Sequence, residues 1–131
     1  MGDGHHGWAA AEIVLFLLRC LVSEQNKSLM IFHDVQAGML EWGTNSAVQG
    51  IATSFGTVSC TINYQTREKA LCAFSLEPIS HRRPKHVEMT FPFSLGRVLP
   101  VSSNLEIEVE RSEGKTVVRF QSSKATLLLE Q

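Results

Sequence analysis

Five side chains able to do chemistry crowd into six residues, His81, Arg82, Arg83, Lys85 and His86, within the stretch PISHRRPKHVEMTF. Three chemistries suit such a run. Its cations could grip phosphate or nucleic acid, as short basic segments do. Its two histidines could ligate a metal, but a closed zinc site needs four ligands, commonly with sulfur, and none lies nearby in sequence. The run could also be a solvated connection between two apolar strands, and this reading is favoured. Arg82, Arg83 and Lys85 are kept as the candidate phosphate or nucleic-acid contact, and no metal site is expected.

Glu106, Glu108 and Glu110 share one face of a strand, about 6–7 Å apart. That spacing suits a pair of carboxylates for acid–base work or for a hard cation. It is equally the way a strand keeps a wet face soluble. Arg111, Lys115 and Arg119 could pair with these glutamates across a sheet. His33 stands beside Asp34, but neighbours in a strand point to opposite faces, so the two make no simple dyad. His5 and His6 sit in a Gly-rich terminus expected to be frayed. No G-x-S-x-G, phosphate-binding loop or dinucleotide fingerprint is present. Without a nucleophile–base pairing the expectation is a non-catalytic protein with no cofactor.

The elements that must position these residues fit one domain of 131 residues, with residues 1–7 disordered and 8–131 folded. Hydrophobic residues at 44% against 19% charged indicate a globular chain. Twelve basic and thirteen acidic residues create no global field for DNA or an anionic membrane, so any such contact must be local. Cys20, Cys60 and Cys72 form no CxxC pair, and the odd number suggests reduced thiols in the cytoplasm or nucleus. The apolar run Ala9–Val22 lacks the basic flank and cleavage site of a signal peptide. Interrupted by Glu12 and Arg19, it is also too short for a membrane span.

From Trp8 to about Glu24 the composition favours a buried helix. After it the period changes to two. Strand candidates are 29–35, a return strand at 39–42, and 47–55, 57–64, 70–76, 86–93, 104–111, 115–120 and 125–130. Within 57–64, Val58, Cys60, Ile62 and Tyr64 alternate with Thr57, Ser59, Thr61 and Asn63, the mark of an antiparallel sheet wet on one side. Pro92 should place its strand at an edge or end it, Gly114 suits a left-handed turn position, and 94–100 reads as a short helical turn or loop. The fold class expected is α+β: one long N-terminal helix packed on a mainly antiparallel sheet of about eight strands.

The order of helix, hairpin and "GMLEWGTNSAVQGIATSFGTVSCTINY", with Gly38, Leu40, Trp42, Ser46, Val48 and Tyr64 at the patterned positions, resembles the first half of a DNA sliding-clamp domain. The end, from Phe93 to Glu130, is similar to the second clamp helix and its strands. The resemblance implies a role in DNA replication, repair or recombination. The chain departs from the pattern in the stretch from Gln65 to Thr90, and its first helix offers only Arg19 toward DNA.

The function expected is that of a protein-interaction or assembly subunit, meeting a protein partner or further copies of itself and no membrane. Its candidate contacts are helix residues Trp8, Phe16, Leu17 and Leu21, with Leu127 and Leu129 on a terminal strand taken as a pairing edge. The alternatives are a small-ligand-binding domain and a nucleic-acid-binding module using residues 81–86.

Overall fold

The computed structural model describes residues 21–35 and 40–131. Strands β1 (Val22–Gln25) and β2 (Ser28–Ile31) form a hairpin about Asn26 and Lys27, whose φ angles are 51° and 64°. Two successive left-handed residues are the tight turn whose twist matches antiparallel strands. The chain then crosses to a second sheet and lays down β3 (Ser46–Thr53), β4 (Gly56–Tyr64) and β5 (Lys69–Pro78) as an antiparallel meander. Residues 79–86 return it to the first sheet, where β6 (Val87–Phe91) runs parallel to β2. Strand β7 (Arg97–Pro100) belongs to the second sheet. The hairpin of β8 (Ile107–Ser112) and β9 (Lys115–Phe120) belongs to the first and turns at Gly114, φ 72°. Finally β10 (Lys124–Glu130) crosses back to lie between β5 and β7.

The sheet orders are β1-β2-β6-β9-β8 and β3-β4-β5-β10-β7. Their inward faces meet in one apolar core. Val58, Cys60 and Ile62 of β4 share it with Cys72 and Phe74 of β5, Met89 and Phe91 of β6, and Val118 of β9. The Phe74 and Phe120 rings meet edge-to-face across the two sheets at 5.5 Å, a favoured aromatic geometry. Trp42 caps one margin, edge-on to Tyr64 at 4.9 Å and to Phe93 at 5.6 Å.

Among the described residues all four sheet edges are blunted. β1 and β7 have four residues each, and β7 ends in Pro100. β3 carries an irregularity between Val48 and Ile51, with Gly50 at φ 68°. β8 presents Glu108 and Glu110. Short strands, prolines, bulges and charges each discourage pairing with another chain.

Several expectations need correction. The fold is not α+β: among the described residues there is no helix, and ten strands form two five-stranded sheets. The long helix over 8–24 fails where it can be seen, because Val22–Gln25 is β1, while residues 8–20 lie outside the described residues. Antiparallel register with Ile31, Met30, Leu29 and Ser28 outweighs the helical propensity of Glu24 and Gln25 there. The strand from residue 29 stops at Ile31, where buried Phe32 takes φ 60°. The return strand at 39–42 is absent over 40–42: Leu40 makes an isolated bridge and Trp42 lies in a turn. The expected helical turn at 94–100 contains β7. The terminal strand is not an edge, since β10 has a partner on each side.

The remaining strands appear within a few residues of their expected bounds. β6 stops at Phe91, immediately before Pro92.

Candidate functional site

Five connections pass between the sheets. Three of them, 79–86, 101–106 and 121–123, converge on a pair of adjoining cavities. The larger is an open groove of about 960 Å³ that includes Leu105, Ile107 and Phe120, with Glu106, Glu108 and Lys124 also along it. The smaller, about 290 Å³, is lined by Arg83, Lys85 and His86 from one connection and by Gln121, Ser122 and Ser123 from another. His86, Gln121 and Ser122 line both.

The basic run is therefore a sheet-to-sheet connection, and its cations separate. The Arg82 guanidinium lies over the Phe55 ring at 4.9 Å, a cation–π contact. Arg83 Nη1 donates to the carbonyls of Ser80 at 2.7 Å and Arg82 at 3.4 Å. Lys85 is held by its backbone: its N–H donates to Lys27 O at 2.8 Å, and Gln121 Nε2 donates to Lys85 O at 2.7 Å. His86 Nδ1 lies 3.2 Å from Ser28 Oγ, and Leu29 N–H donates to His86 O at 3.0 Å. Arg83 and Lys85 of the expected contact thus border a cavity, whereas Arg82 packs elsewhere.

The three glutamates do not act as a set. Arg119 donates from Nε to Glu88 Oε1 at 2.6 Å and from Nη2 to Glu110 Oε2 at 2.9 Å. This engages Glu110 in the cross-strand pairing expected of it. Arg111 instead donates to the carbonyls of Leu95 and Gly96 at 3.0 and 3.1 Å. No group of three or more side chains able to hold a metal ion occurs among the described residues. His33 and Asp34 fall in a turn after β2 rather than in a strand, and among the described residues no hydrogen bond joins them. No helix among the described residues is long and apolar enough to cross a membrane.

Of the residues expected to meet a partner, Trp8, Phe16 and Leu17 lie outside the described residues, and Leu21 is half-buried against the core. Leu127 and Leu129 are 1% and 0% exposed in the interior of the second sheet, so neither is presented to a partner.

The surface that sequence reasoning missed lies on the other face of the same strands. Thr57, Ser59, Thr61 and Asn63 of β4 stand beside Leu71, Ala73 and Ser75 of β5, then Thr126 and Leu128 of β10 and Leu99 of β7. None of these side chains is charged. The charges stand at the two ends, Glu77 and Lys124 at one and Lys69, Glu130 and Arg97 at the other. Beside Leu99, 37% exposed, Val101 is 60% exposed. The signal was present in 70–76: Ala70, Cys72, Phe74 and Leu76 are the inward set, leaving Leu71, Ala73 and Ser75 for the outside.

Cys60 and Cys72 lie inside, with their Sγ atoms 3.7 Å apart. The contact with Cys60, and burial second, push the Cys72 thiol well above its ordinary range. Thiolate is the reactive form. In the native protein both thiols are expected to resist an aromatic disulfide reagent at neutral pH and to react at the rate of unfolding. Mapping the labelled cysteines by mass spectrometry checks this, and rapid labelling of Cys72 without denaturant would contradict it.

No family model, curated protein or solved structure matches the chain.

Proposed function

We propose that the chain is a non-catalytic assembly module, and that its outer β4-β5-β10-β7 face meets a second copy of the same chain. The observation that carries this reading is a sheet face holding Leu71, Leu99 and Leu128 with no charge between its ends. A sheet face exposed only to water ordinarily carries charged side chains along its strands. The face measures roughly 500–600 Å² by strand spacing and rise. Two such faces would bury about 1,100 Å², the low end for a specific interface, so association should depend on concentration. An antiparallel arrangement about a two-fold axis would bring Glu77 of each copy toward Lys69 and Arg97 of the other. The sliding-clamp resemblance lends no support, since the segment it needs as a second helix contains strand β7.

Molar mass by light scattering over about a hundredfold concentration range tests the proposal through mass action. A rise from monomer toward dimer mass is expected, abolished by Leu71→Lys or Leu128→Lys without loss of the folded β spectrum. Monomer mass throughout, or a dimer indifferent to both substitutions, would sink this reading.

A further inference from the structure

The 290 Å³ cavity has a composition unlike the rest of this nearly neutral chain. Its floor includes buried Leu76 and Val87, and its walls carry Arg83, Lys85, His86, Gln121, Ser122 and Ser123. No carboxylate lines it. Among the described residues, none of the four ion pairs uses Arg83, Lys85 or His86. The Ser122 hydroxyl donates to Lys124 O at 2.6 Å, which leaves two cations, an imidazole and the Ser123 hydroxyl around one cavity, groups suited to an anion. The walls are also held in place. The backbone of Lys85 is tied to Lys27 on one side and to Gln121 on the other, and Gln121 belongs to the opposite wall. Ser28 Oγ and His86 Nδ1 share a hydrogen bond of 3.2 Å, which ties the imidazole to β2.

We propose that this cavity binds a single phosphate monoester whose remaining body is neutral or cationic. The cavity lies at the lower limit of small-molecule sites, roughly 300–1,000 Å³. The character of the body follows from the adjoining groove. Beyond the shared Gln121 and Ser122 it carries Glu106 and Glu108 with Lys124, and Arg119, which is already paired with Glu88 and Glu110. A nucleic-acid strand leaving the basic cavity along this groove would bring its next phosphates toward those carboxylates. Each such approach costs about 1 kcal/mol even at the dielectric of water. A body ending in an amine would instead pair with them. The site is thus polar along its length, basic in the smaller cavity and of mixed charge in the groove, where two carboxylates face one lysine that no ion pair engages among the described residues.

Titration of the ¹⁵N-labelled chain with inorganic phosphate, O-phosphoethanolamine and a short single-stranded oligonucleotide tests this. Phosphate and phosphoethanolamine should both move the amide signals of Lys85, His86, Gln121 and Ser123, the ester at several-fold lower concentration. The pair Arg83→Ala with Lys85→Ala should weaken both at least about tenfold, as loss of charge-assisted hydrogen bonds requires, at an unchanged unfolding midpoint. The pair Glu106→Gln with Glu108→Gln should remove the advantage of the ester while leaving phosphate binding intact. Absence of those shifts by about 10 mM ester would overturn the proposal. So would equal binding of ester and free phosphate, or tighter binding per phosphate by the oligonucleotide.

Discussion

Replacing Gly56 by alanine should destabilise the protein by about 4 kcal/mol or more, in the far tail of single substitutions. Two effects coincide. Gly56 has φ 143°, a conformation that costs a residue with a side chain roughly 1–3 kcal/mol. In addition, a Cβ there would stand 2.1 Å from the Glu77 carbonyl oxygen and 2.9 Å from Pro78 Cα. Both are backbone atoms of β5 at the Gly56–Pro78 pair, so no side-chain rotation relieves the contact. Strands β4 and β5 would have to separate where the β3–β4 turn ends. Gly114 is the control: its φ is 72° and nothing lies within 4 Å of a Cβ built on it. Gly114→Ala should cost only about 1–2 kcal/mol, the left-handed penalty alone. Urea unfolding of both variants decides the matter. A Gly56→Ala midpoint no lower than that of Gly114→Ala would mean that β4 and β5 do not approach as described.

Thr116→Val should cost about 2–4 kcal/mol, although the two side chains have nearly the same shape. Thr116 is completely buried on β9. Its hydroxyl donates to Phe93 O at 3.1 Å and accepts from Leu95 N–H at 3.0 Å. Valine would leave both backbone groups unmet, each at about 1–3 kcal/mol, with partial relief if water reaches them. The damage should spread. Residues 93–96 also receive Arg111 at the Leu95 and Gly96 carbonyls, and Gly96 N–H donates to Glu130 O at 2.9 Å. Thr116→Ser keeps the hydroxyl and loses one methyl, so it should cost about 1 kcal/mol. Amide exchange at Leu95 should accelerate in the valine variant and stay slow in the serine variant. Equal midpoints for the two would show that the hydroxyl does not hold this connection.

Where the sequence was legible, one strand face was wet and the other apolar. In β4 every second residue from Val58 to Ile62 is buried, as the alternation announced. The β8–β9 hairpin and its turn at Gly114 were legible for the same reason. The failures came where partners distant in sequence decide. Val22–Gln25 follows a long apolar run and shares its helical propensity, and only its pairing with Ser28–Ile31 makes it a strand. β7 has four residues, Arg97–Pro100, too few to show a period. β10 alternates just as an edge strand would, and its interior place depends on β7, which local pattern did not reveal. The candidate site divides in the same way. Arg83 and Lys85 are neighbours in sequence and were noticed together, whereas Gln121, Ser122 and Ser123 join them through a crossing made some thirty-six residues later. Nothing local marks that meeting.

The four blunted edges bear on how large any assembly of this chain can grow. Backbone pairing from edge to edge is open-ended, because each added copy presents a fresh edge to the next. A two-fold contact between faces consumes the same patch on both copies and leaves none for a third. With Pro100 on one edge, glutamates on another, an irregular strand on the third and four residues on the last, the described strands discourage the first kind of growth. Association through the uncharged face would therefore be self-terminating, yielding a discrete particle rather than a fibre as concentration rises.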